Sequence, residues 1–160
     1  MRRLTRFLDA FAWLLEHLVA LAFATLFTVT VLNIVLRNVA GVAWLWIPAV
    51  ARLLFIWIVF LGIAAAARRN EHLVVDYFHR KLPPRLRAVV TVAIHLVSLP
   101  FFAMLFFYGR EVARVRMRIP FDTWQFPTGW AYMAVPVAAV ILIVFTLERL
   151  ATIIWERRTT

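Results

Sequence analysis

The sequence predicts an all-α membrane protein: four transmembrane helices, with a short amphipathic interfacial helix after the second. Two observations carry that reading. The chain is 64% hydrophobic and only 16% charged, with a mean hydropathy of +0.85, whereas a soluble domain is nearer half apolar and a quarter charged. The apolar residues also fall into long runs separated by basic and proline-bearing connections. The absence of cysteine excludes disulfides and thiolate metal sites. The net charge of +10 is divided among the ends of the runs, which points to topology and lipid headgroups rather than nucleic acid.

The first run extends from about Phe11 to Leu36, the second from about Trp46 to Ala67, the third from about Leu86 to Tyr108, and the fourth from about Gly129 to Leu147, continuing as helix toward Trp155. Each is near or above the ~20 residues that cross a ~30 Å hydrocarbon core. Backbone amides in lipid must find partners within their own segment, so the runs are helices; no series of short alternating strands supports a barrel. The basic start, MRRLTRF, resembles the n-region of a signal peptide, but the apolar run behind it is long and carries Glu16 and His17. It reads as a permanent span. No repeat or linker divides the chain, so residues 1–160 form one domain.

Arginine and lysine set the orientation. With the N-terminus inside, twelve of those outside the runs are cytoplasmic and five external; the five are Arg37, Arg110, Arg114, Arg116 and Arg118. Both termini are then cytoplasmic. Trp44, Trp46, Trp124 and Trp130 fall near the external interface and Trp155 near the cytoplasmic one, where indole buries its ring and exposes its N–H.

After the second run comes ARRNEHLVVDYFHRK. Leu73, Val74, Tyr77 and Phe78 recur at helical spacing, while Glu71, His72, Asp76, His79 and Arg80 fill the rest of the circumference. That pattern predicts the interfacial helix, ended by Pro83-Pro84. His72, Asp76 and His79 have a spacing suited to zinc, but two histidines and one carboxylate on an exposed helix assign no metal site. The segment is read as a bilayer or partner surface.

The string LLFIWIVFLGIAAAARRNEHLVVDYF, residues 53–78, resembles the junction of the second span and the cytoplasmic connection in the small membrane subunit of tripartite ATP-independent periplasmic (TRAP) transporters, the DctQ-like family. The resemblance implies a bacterial inner-membrane subunit without cofactors. It would brace a large permease and help dock a periplasmic substrate-binding protein during sodium-driven import of organic acids. Relatives often carry an acid shortly before the arginine matching Arg52; this chain has Pro48-Ala49-Val50-Ala51 there.

Polar residues within the runs are the candidate contacts. Asn33 and Arg37 share a helical face near the external end of the first span, with Arg37 snorkelling outward. Arg52 lies in the external half of the second span, and Trp57 follows on the same helix; both are assigned to partner or bilayer contact. Adjacent Glu16 and His17 need not pair with each other, and His95 is read as a packing residue. Pro100 and Pro136 are expected to bend the third and fourth helices locally. In the external connection VRMRIPFDTWQFPTGW, Arg114, Arg116, Arg118 and Trp124 form the expected docking surface, on a stretch stiffened by Pro120 and Pro127.

An independent channel or small carrier would need polar residues continuing along one face of several spans, whereas Asn33, Arg52 and His95 lie at scattered depths. A membrane enzyme would need a nucleophile with an oriented base or a metal constellation. No HExxH or GxSxG occurs.

Overall fold

A computed structural model describes residues 2–42, 44–79 and 84–158. The chain forms α1 (Arg2–Ala40), α2 (Ile47–His79), α3 (Pro84–Arg116), a small antiparallel hairpin of β1 (Pro120–Phe121) and β2 (Trp124–Pro127), one helical turn α4 (Gly129–Tyr132), and α5 (Ala134–Arg158). Four candidate spans emerge by length and composition: Thr5–Ala40, Ile47–Arg69, Val89–Arg116 and Gly129–Ile153. Gly41, at φ 67°, takes the left-handed position that commonly follows a helix and ends α1. Pro84 opens α3, where a missing N–H costs nothing.

The expected separate interfacial helix is absent. Residues 70–79 continue α2 without a break. No glycine or proline lies between Ala64 and His79, and ending a helix after Ala67 would strand its last carbonyls and the first N–H groups of the next helix. Amphipathic periodicity shows which face is apolar, but it does not mark a boundary. The side chains of Glu71, His72, Asp76, Tyr77 and Phe78 lie outside the described residues, as do those of His79, Arg80 and Trp155.

The connection between α3 and α4 also departs from the all-α expectation. Phe121 pairs with Trp124 across Asp122-Thr123, and Pro120 with Pro127. The Thr128 hydroxyl lies 2.9 Å from the carbonyl oxygen of Ile119 and 3.1 Å from that of Arg116, tying the hairpin to the end of α3. Gly129 is required behind it: a Cβ there would come within 2.6 Å of the Ala113 carbonyl oxygen and of the Met117 nitrogen.

Pro100 sits inside α3, which continues through it. Near Pro136 the fourth span divides into α4 and α5 at Met133. Proline offers no N–H to the Tyr132 carbonyl four residues back, so the helical ladder is interrupted there.

Helix α1 packs chiefly on α2, α3 packs on α5, and α2 also meets α5, so α2 and α5 occupy the middle. Small residues allow close approach: Ala113, Ala131, Ala134, Ala138 and Ala139 are fully or almost fully buried, as expected where lipid gives no hydrophobic drive between helices. A cluster of Leu8, Ala12 and Phe145 closes the end nearest the termini, and one of Ala49, Phe121 and Ala131 closes the hairpin end. At ~1.5 Å per residue α1 is about 58 Å long, well beyond a hydrocarbon core. Phe7, Trp13, Leu21, Phe23 and Phe27 along it are exposed.

Candidate functional site

Among the described residues the ion pairs gather at one end of the bundle, and a group of aromatic and basic side chains at the other. Near the termini, Arg68 of α2 reaches two other helices. Its Nη1 donates to Glu148 Oε2 of α5 at 2.6 Å, while Nε and Nη2 donate to Asp9 Oδ1 of α1 at 3.0 and 2.9 Å. Its guanidinium lies 5.4 Å from the centre of the Phe145 ring. The Arg68 and Glu148 side chains are 10% and 9% exposed, that of Asp9 61%. The arrangement is a three-helix clamp with a buried arm and a wet arm.

One residue on, Arg69 Nε lies 3.3 Å from Glu16 Oε1. Glu16 and His17 thus diverge as their adjacency requires: Glu16 faces α2, while the His17 ring lies 4.0 Å from the Trp13 ring and its Nδ1 is 2.8 Å from the Trp13 carbonyl oxygen. On α3, His95 Nδ1 bonds the carbonyl oxygen of Thr91 at 2.8 Å.

The sequence reading placed Arg68 among the topology arginines and did not single out Asp9 or Glu148. The signal was present: acidic residues number only eight with lysine and arginine at eighteen, and Asp9, Glu16 and Glu148 all border apolar runs at the same end as Arg68-Arg69.

At the opposite end, the Trp57 indole Nε1 donates to the Trp130 carbonyl oxygen at 3.0 Å, joining α2 to α4. Trp124 stacks on Phe126 at 4.7 Å and Phe126 lies 6.3 Å from Trp130, forming an aromatic ladder. Arg114, Arg116 and Arg118 are exposed at this end, with Arg116 5.3 Å from the centre of the Tyr132 ring. Arg52 is exposed on α2, and no carboxylate among the described residues pairs with it. Arg37 is exposed in the last turn of α1; one turn earlier, the buried Asn33 Oδ1 lacks a hydrogen-bond partner. Arg52 and Asn33 therefore remain separate features. No group of histidines and carboxylates suited to a metal occurs among the described residues.

Four long apolar helices, ion pairs that join helices to one another, and broad apolar faces left uncovered define a polytopic membrane protein built to pack against lipid or other helices. More particularly, the chain belongs to the family described as "Tripartite ATP-independent periplasmic transporters, DctQ component", whose family model matches residues 26–155. That family is one of small, noncatalytic permease components, and the four candidate spans make this chain a transmembrane member of it.

Among similar proteins, the sialic acid TRAP transporter permease protein SiaT of Haemophilus influenzae (strain 86-028NP) is 25% identical over 135 residues, covering 79% of this chain and 21% of SiaT. The sialic acid TRAP transporter small permease protein SiaQ of Vibrio cholerae is 26% identical over 106 residues, 66% of this chain and 61% of SiaQ. A putative TRAP transporter small permease protein of Haemophilus influenzae (Rd) is 25% identical over 159 residues, 97% of this chain and 94% of that protein. The chain thus spans about a fifth of SiaT and less than two thirds of SiaQ.

Proposed function

We propose that this chain is the bracing subunit of a TRAP transporter in a bacterial inner membrane. It sits beside a large permease subunit, with its termini in the cytoplasm and the hairpin end facing the periplasm. The observation that carries the reading is the family match over residues 26–155. The exposed apolar length of α1 supports it by offering surface for a neighbouring membrane subunit. The match to a segment of the longer SiaT supports it too, since that region there belongs to a larger permease chain.

Asn33, Arg37, Arg52 and Trp57 belong to the permease or bilayer contact in this reading, together with Glu71, His72, Asp76, Tyr77 and Phe78 on the α2 extension. Exposed Arg114, Arg116, Arg118 and Trp124 help dock a periplasmic substrate-binding protein, their positive charge steering an acidic face toward the membrane. The transported cargo is an organic acid, and a sodium gradient drives its import through the large subunit. The greater basic charge near the termini supports the orientation.

The test is extraction of the tagged chain from its native membrane in mild detergent, followed by mass and composition. Co-isolation of one large polytopic permease is expected. Stable self-assembly without a permease, under conditions that preserve another membrane complex, would overturn the reading in favour of an independent channel.

A further inference from the structure

Between α1 and α2 runs an open groove of about 730 Å³ with polar and apolar ends. Glu16, His17 and Arg69 form one end, and Ala20, Phe23 and Ile58 line the other. We propose that this groove is a specific site for one phospholipid bearing a primary ammonium, an ethanolamine-type headgroup.

Depth selects a lipid. The apolar run of α2 ends near Ala67 and is followed at once by Arg68-Arg69, which places the polar end at the boundary of the hydrocarbon. From Arg69 to Ile58 is eleven residues along α2, or about 16 Å at ~1.5 Å per residue. That is roughly one leaflet of a ~30 Å core. An acyl chain hanging from a headgroup occupies one leaflet, whereas a partner's transmembrane helix would call for a groove through both.

Charge selects the headgroup. The Arg69 side chain is 77% exposed and that of Glu16 23%, so the pair presents a cation and an anion side by side at the mouth. A phosphate diester suits the guanidinium and an ammonium suits the carboxylate. Because the Trp13 carbonyl can only accept, His17 Nδ1 donates to it, which holds the ring at the mouth of the groove beside Glu16. A phosphatidylglycerol headgroup would satisfy Arg69 but set its single charge, a negative one, beside Glu16. Trp13, exposed and with its ring tilted against that of His17, places an indole at headgroup level.

The experiment is native mass spectrometry of the full chain, purified with its membrane partners when they co-isolate, after exchange into phosphatidylethanolamine or phosphatidylglycerol. One tightly held phosphatidylethanolamine is expected, retained about threefold to fivefold over phosphatidylglycerol, the range set by contacts between solvent-accessible charges. Arg69→Gln lowers retention of both lipids, and Glu16→Gln abolishes the preference between them. Ala20→Phe, at an exposed position on the groove wall, fills the acyl track and releases the lipid while leaving the mouth unchanged. Equal retention of the two lipids by the unaltered chain, or unchanged retention in Ala20→Phe, would overturn the proposal. So would a photocrosslinker at position 20 that captures another protein chain instead of lipid.

Discussion

Arg68→Gln removes the cation that joins α1, α2 and α5 and leaves the Glu148 carboxylate, 9% exposed, without its 2.6 Å partner. Removing one member of a buried pair costs ~3–5 kcal/mol, mostly because the remaining charge is stranded. The Asp9 arm adds less than about 1 kcal/mol, since that side chain is 61% exposed. The packing of the guanidinium over Phe145 adds about 0.5–1 kcal/mol. Because the clamp lies at the end of its span, within reach of water, the lower part of the range applies to the buried pair, about 3 kcal/mol, and the three contributions together come to about 4 kcal/mol. At about 2–4 °C per kcal/mol for a chain of this size, the midpoint of unfolding falls by about 8–16 °C.

The assay is tryptophan-monitored thermal unfolding in lipid nanodiscs, with the subunit complex kept intact where it forms. Glu148→Gln deletes the buried charge itself and leaves Arg68 with Asp9, so its loss is smaller, about 1–2 kcal/mol. Asp9→Asn should cost less than about 1 kcal/mol. The expected order is therefore Arg68→Gln, then Glu148→Gln, then Asp9→Asn. A loss in Asp9→Asn equal to that in Arg68→Gln would refute the division into a buried and a wet arm. A shift under about 2 °C in Arg68→Gln would refute the clamp itself.

Trp57→Phe keeps the apolar ring but leaves the Trp130 carbonyl without its indole donor, costing about 1 kcal/mol; an undiminished unfolding midpoint would remove that bond from the account. Gly129→Ala drives a Cβ against the backbone of Ala113 and Met117 and should destabilise the hairpin end by about 1–3 kcal/mol, read as faster amide exchange in β1 and β2; exchange at the unaltered rate would contradict the close packing. Joint replacement of Arg114, Arg116 and Arg118 by glutamine should slow association with the binding protein by about tenfold at low salt and hardly at all at high salt, as electrostatic steering requires. Equal rates at low salt would dismiss these residues as steering groups.

The four spans were legible because nothing but a helix satisfies a long run of backbone amides in lipid, and the runs stand out from composition alone. Their ends were less so: α1 begins at Arg2 and α2 ends at His79, since charged residues continue a helix readily once it leaves the hydrocarbon. Leu73, Val74, Tyr77 and Phe78 were read as a new element, when they continue an old one. IPFDTWQFP was read as a proline-stiffened loop; its aromatic residues instead pair across Asp122-Thr123 as a hairpin. Among the candidate contacts, Trp57 gained a defined partner only when the fold brought Trp130 to it across 73 positions of sequence.

By itself, the sequence determined the solvent in which this protein folds, the number of spans, and the common end shared by the two termini, because those follow from transfer of local segments into lipid. The tertiary structure alone decided that Arg68 rather than Arg52 would hold three helices together, and that Glu16, His17 and Arg69 would stand at the mouth of one groove. Such pairings depend on the rotation and depth of each helix against its neighbours. Those are fixed by the packing of small side chains such as Ala12, Ala65 and Ala139, a property of contacting surfaces that no single stretch of sequence contains.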